Sequence, residues 1–139
     1  MQDLANALEG RLKELVDAAQ PGFRCYAGQA PALPALEAPR IVISVQDGRE
    51  LPQGSGNFLL SVQAEVNSSA DDSTVPQHRA RCLAALAPLM ADDLADQINS
   101  GDGIGCQGVI NRTTQHAVAE RAYEDRLMFE VYCCLLEIA

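Results

Sequence analysis

The chain has 139 residues, 47% of them hydrophobic, with 19 acidic against 10 basic side chains and a formal net charge of -9. That length and apolar content suit one domain with a proper core, so 1–139 reads as a single unit without room for a second catalytic domain. The acidic balance repels a phosphate backbone at long range and argues against sequence-specific nucleic-acid binding.

The opening segment "MQDLANALEG" carries Asp3 and no apolar run, unlike a signal peptide. In "DLANALEGRLKELVDAA", Leu4, Leu8, Leu12, Leu15 and Val16 form an apolar stripe, while Glu9, Arg11, Lys13 and Glu14 fall largely elsewhere. This is an amphipathic first helix, ended by Pro21-Gly22. A short strand "FRCY" is expected next, then "AGQAPALPALEAPR", whose Pro31, Pro34 and Pro39 suit an extended crossing loop. "RIVISVQ" places Ile41, Ile43 and Val45 on one face, and "NFLLSVQAEVNSS" does the same with Phe58, Leu60, Val62, Ala64 and Val66. The turn-rich stretch "DGRELPQGSG" joins these two antiparallel strands as a long loop.

Ser73 or Thr74 is placed to cap the helix "QHRARCLAALAPLMADDLADQIN", where Leu83, Leu86, Met90, Leu94 and Ile98 recur at helical spacing. Pro88 is expected to restart this helix from a first-turn position. Two strands follow, "GIGCQGVINRTT" and "EDRLMFEVYCCLLEIA", joined by the loop "QHAVAERAY". The last strand has apolar side chains on both faces, as for a central strand or one covered by a partner, and Glu130 and Glu137 interrupt it too often for a membrane span. The element order predicts an α+β fold: a single mainly antiparallel sheet of about four to five strands with two helices packed on one face. A soluble cytoplasmic chain without membrane contact is expected.

Few residues suggest chemistry. Gly103, Gly105 and Gly108 spell G-x-G-x-x-G, but a dinucleotide site needs a strand before and a helix after, the reverse of the order here. Gly101 or Gly103 instead serves the helix C-terminal turn, and no cofactor is implied. Five cysteines (Cys25, Cys82, Cys106, Cys133, Cys134) without a C-x-x-C predict neither a disulfide framework nor a zinc site. His78 and Cys82 stand at i, i+4, the spacing of a thiolate-imidazole pair, without a third orienting group in the sequence; a core cysteine and a partly exposed histidine are expected. His116 falls in the polar hairpin loop as a surface side chain rather than a metal ligand. Asp92, Asp93 and Asp96 read as a solvated acidic patch rather than a cation site, as do Asp71 and Asp72 in their Ser-rich loop. The sequons at Asn67 and Asn111 carry no meaning without a secretory signal.

The segments "FLLSVQAEVNSSADDSTVPQHRARCLAALAPLMADDLADQIN" and "GVINRTTQHAVAERAYEDRLMFEVYCCLLEIA" resemble the small tail terminator and tail completion proteins of long-tailed bacteriophages and prophages. The likeness lies in a polar-faced strand, an acidic Ser-rich loop, a helix opening with an "HxxR"-like segment (His78 to Arg81), and a long last strand with an apolar end. The resemblance implies a homohexameric ring that caps the tail tube, ends its polymerisation and joins the tail to the head-neck connector. The implied partners are further copies of the chain, the major tail tube protein and the connector, with DNA passing through without specific binding. The implied location is the head-proximal end of the virion tail, reached from the host cytoplasm, and no enzymatic activity is implied. On that reading Arg49, Glu50, Asp71, Asp72, Gln115 and Glu120 are candidate assembly residues on loops, and Asp92, Asp93 and Asp96 candidate lining of an acidic lumen. A head-completion or neck protein of the same virion is the neighbouring alternative. A small cytoplasmic enzyme or ligand-binding domain using His78 and Cys82 is the alternative from another class.

Overall fold

A computed structural model of the chain describes residues 1–19, 21–28, 39–69, 73–101, 103–119 and 122–136. Helix α1 (Gln2–Ala18) leads to strand β1 (Arg24–Ala27), then to β2 (Arg40–Glu50) and β3 (Asn57–Ser69). Helices α2 (Val75–Met90) and α3 (Leu94–Asn99) precede the long hairpin of β4 (Ile104–Ala119) and β5 (Ala122–Leu135). The five strands form one sheet in the order β1-β2-β3-β5-β4. All pairs are antiparallel except β1 with β2, so the sheet is mixed at one edge.

Strand alternation decides which face is covered. Ile41 and Ile43 of β2, Leu60, Val62, Ala64 and Val66 of β3, and Leu127, Phe129, Val131 and Cys133 of β5 turn to one side and are buried beneath the helices. α1 answers with Leu4, Leu8, Leu12 and Val16, one per turn and all buried, each contributing about 1.5–3 kcal/mol relative to exposure. The opposite sheet face is polar and carries the Arg126–Glu65 ion pair at 2.7 Å. The α+β architecture with helices on one face is therefore as expected, with three helices among the described residues where two were predicted.

The single predicted second helix is broken after Met90, not at Pro88. Proline only removes one N–H from the ladder, whereas Ala91 takes an extended conformation with ψ 143 that ends the helix. Arg112 of β4 holds this end by donating to the carbonyls of Leu89 at 3.1 Å and Ala91 at 2.8 Å. The buried face of α2 also lies to one side of the expected stripe. α2 buries Cys82, Ala85, Leu86 and Leu89, while Leu83 and Met90, expected in the core, are exposed. α3 is tied down by Arg11, whose Nη2 donates to Gln97 O at 2.6 Å, and by Asn99, which brackets Cys106 through both its backbone N–H and its carbonyl.

Both predicted hairpin loops are shorter than the composition suggested. β2 continues through Glu50, with Arg49 opposite Leu59 and Glu50 opposite Phe58. The Asp47-Gly48 pair is not a turn but follows a bulge between Val45 and Asp47. A Cβ on Gly48 would lie 2.5 Å from Leu60 Cδ2, so glycine lets Leu60 reach the core. Glu9, placed on the solvent side of α1 by its polarity, is instead buried, and its Oε2 accepts the Val45 N–H at 2.9 Å beside the bulge. In the second hairpin, β4 runs to Ala119 and β5 starts at Ala122, so Gln115 and His116 are strand residues. Cross-strand pairing satisfies their backbone polar groups better than a loop would. Most of the predicted crossing loop, 29–38, lies outside the described residues.

Candidate functional site

The capping box at the start of α2 sets the geometry of its first turns. Thr74 Oγ1 accepts from Gln77 N at 3.4 Å, and Gln77 Oε1 accepts from Thr74 N at 2.8 Å. One turn on, His78 and Cys82 face the sheet, both buried. β5 brings Asp125 beneath them, and β4 brings His116 directly opposite Asp125 in the strand register.

The four side chains form one cluster. His78 Nε2 lies 3.1 Å from Asp125 Oδ1 and 3.4 Å from Cys82 Sγ. His116 Nδ1 lies 2.6 Å from Asp125 Oδ2. The other His78 nitrogen, Nδ1, meets Ser68 Oγ at 2.7 Å, and Arg81 donates to the same hydroxyl at 3.3 Å and to Ser73 Oγ. Tyr123 packs its ring 5.4 Å from that of His78. The partly exposed histidine expected from the sequence is thus enclosed, because Ser68 comes from the end of β3 and Asp125 and Tyr123 from β5, far along the chain. His116 keeps an exposed ring, as expected, but on a strand.

Electrostatics divide the cluster. Burial pushes the Asp125 carboxyl up, but hydrogen bonds from His78 and His116, with their charges, outweigh it and hold it below the ordinary aspartate value. Burial, followed by the Asp125 charge, pushes the Cys82 thiol up to about 12. A nucleophilic cysteine needs the opposite shift, so the His78–Cys82 pair is poorly set for thiolate attack.

The residues expected at an assembly surface are separated. Arg49 and Glu50 sit beside the β2–β3 turn, where Asn57 pairs with Cys134, whereas Gln115 lies towards the other end of the sheet, where Ser69 pairs with Ala122. By register Glu50 is level with Phe58 of β3 and Gln115, through Arg126, with Glu65, a gap of seven residues or about 23 Å. Arg49 is exposed, while Glu50 serves its own turn by accepting from Gly54 N at 2.8 Å and Gly56 N at 3.0 Å. Asp71, Asp72 and Glu120 lie outside the described residues. Asp92, Asp93 and Asp96 are brought together and exposed across the turn between α2 and the start of α3, with Asp93 accepting from Gln97 at 3.1 Å.

A surface feature without a sequence signal is the cleft between α2 and the outer part of β4. It measures about 320 Å³ and is lined by Leu83, Leu86, Met90, Thr114, His116 and Asp125. Leu83, in its lining, is 76% exposed. β4 is the last strand of the sheet on that side.

No protein-family model and no curated protein matches the sequence. Among solved structures, the chain is similar to one from the virion of the native gene transfer agent particle, with a TM-score of 0.56 and 11% identity. The alignment covers 94% of this chain and 97% of the other, so the two share a fold over nearly their whole lengths.

Proposed function

We propose that this protein is a structural component of a phage-like virion, and specifically a tail terminator whose copies close into a hexameric ring on the head-proximal end of the tail tube. The observation that carries the reading is the near full-length likeness to a chain of a gene transfer agent virion, joined to the sequence resemblance over strand β3, α2 and the terminal hairpin. The surface supports self-assembly. β4 leaves a 16-residue strand at the sheet edge, flanked by the exposed apolar side chains of Leu83, Met90, Ile110 and Val118. A neighbouring copy covers that edge and cleft, while Arg49 and the β2–β3 turn at the far end of the sheet meet a further partner. The exposed Asp92, Asp93 and Asp96 and the net charge of -9 suit a lumen that DNA traverses without sticking. The protein acts by assembly, not turnover.

The test is to mix the purified protein with a major tail tube subunit from the same virion and image the product by negative stain. Rings seated on one end of tubes of limited length are expected. Tubes that elongate unchanged, together with rings found on head connectors instead, would replace this reading with a head-completion role.

A further inference from the structure

The cluster beneath α2 has the composition of a metal site, and the geometry points to a zinc centre held by His78 Nε2, Cys82 Sγ and Asp125 Oδ1. One ligand atom from each of these residues lies within 4.8 Å of the others, and two of the three separations are 3.1 and 3.4 Å. Donors about 2.0–2.3 Å from a tetrahedral ion stand roughly 3.3–3.7 Å apart, so small side-chain rotations close the set. A thiolate, an imidazole and a carboxylate select zinc over magnesium or calcium, which take all-oxygen shells. Charge also balances: one dication, one thiolate, one carboxylate and a neutral imidazole sum to zero in a buried place.

The surroundings match what such ligands require. With Nε2 on the metal, His78 Nδ1–H donates to Ser68 Oγ, already 2.7 Å away, which fixes the tautomer and the ring plane. Asp125 Oδ2, the oxygen turned from the metal, accepts from His116 Nδ1–H at 2.6 Å. His116 is therefore an orienting residue one step out, not a ligand. Cys82 and Asp125 both line the cleft beneath Leu83 and Met90, from which a water would complete the tetrahedron. Binding transfers the Cys82 thiol proton to solvent as the zinc–sulfur bond forms, so affinity falls with falling pH. The ion would join α2 to β5 across a separation of 47 residues in sequence. The inference stands whether or not the protein forms a ring, and it runs against the expectation from cysteine spacing that no metal is bound.

The test uses tag-free full-length protein, stripped with chelator and titrated with zinc against a chromogenic indicator, then with cobalt. One equivalent of zinc per chain is expected, and cobalt should give tetrahedral ligand-field bands with a thiolate charge-transfer band. Cys82→Ser should remove the charge-transfer band, and Asp125→Asn, nearly isosteric, should weaken zinc beyond the about 10–100-fold expected for His116→Ala as an outer partner. Cys133→Ser, at a buried thiol elsewhere in the core, should change neither. Circular dichroism confirms that each variant is folded. Absence of the thiolate band in the wild type, or zinc binding unchanged in folded Cys82→Ser and Asp125→Asn, overturns the proposal.

Discussion

Replacing Glu9 by alanine probes how α1 is joined to the sheet. The Glu9 side chain is enclosed, with the residue 8% exposed, and Oε2 accepts the Val45 N–H at 2.9 Å where the β2 bulge breaks the ladder with β3. A hydrogen bond to a charged acceptor contributes about 1.5–3 kcal/mol, and its loss leaves a partly buried backbone donor without its partner. The lost methylene adds about 0.8 kcal/mol, so Glu9→Ala should cost about 2–4 kcal/mol. Glu9→Gln keeps a carbonyl acceptor in place and should cost about half as much. The chain has no tryptophan, so urea unfolding is best followed by circular dichroism of the helices. With a slope near 2 kcal/mol/M, the midpoint should fall by about 1–2 M in Glu9→Ala and by less than about 1 M in Glu9→Gln. A Glu9→Ala midpoint within about 0.25 M of wild type, or a glutamine variant no better than the alanine one, would refute the assignment of Glu9 as the bulge's acceptor.

Arg112→Met removes both donors from the end of α2 and should cost about 1–3 kcal/mol, with faster amide exchange in that helix's last turn; unchanged exchange would mean that the guanidinium does not hold it. Leu83→Glu should leave monomer stability within about 0.5 kcal/mol, because the side chain is 76% exposed, yet abolish ring formation in sedimentation velocity; normal rings would remove the α2 cleft from the interface. The Glu50 carboxyl should titrate below the ordinary glutamate range by carbon-13 NMR, since the Gly54 and Gly56 N–H groups donate to its charged form. Its folded value being depressed, the turn gains stability above the unfolded glutamate value and loses it as pH falls through the folded one, and an ordinary titration would deny that role. In the metal-free folded protein, one thiol should react quickly with an aromatic disulfide reagent, Cys134, because Cys25, Cys82, Cys106 and Cys133 are buried; rapid reaction of Cys82 would contradict its enclosure under α2.

Local periodicity was enough for much of the fold. The stripe Leu4, Leu8, Leu12 and Val16 and the alternation through Leu60, Val62, Ala64 and Val66 are written in neighbouring residues, so their buried faces were readable in advance. The order of helix before Gly103 and strand after it was likewise legible from neighbouring residues, and it is the reverse of the context a dinucleotide fingerprint needs. Composition misled where long-range pairing won. Asp47, Gly48, Arg49 and Glu50 read as a loop because they are turn formers, yet partners on β3 draw them into the sheet. Leu83 and Met90 fitted a helical stripe with Leu86, Leu94 and Ile98, but α2 ends at Met90 and turns His78, Cys82, Ala85, Leu86 and Leu89 to the sheet instead. The candidate site was half legible, since the i, i+4 spacing of His78 and Cys82 is local. Asp125 and His116 gave no signal, because their relation to His78 exists only after β5 pairs with β3 on one side and β4 on the other. The sequence by itself therefore determined the elements, their main apolar faces and the acidic surface, all of which depend on residues within a few positions of one another. Strand order, the burial of His78 and Glu9 and the convergence of His78, Cys82, His116 and Asp125 were decided by tertiary structure, since each depends on distant backbone being brought within hydrogen-bonding distance.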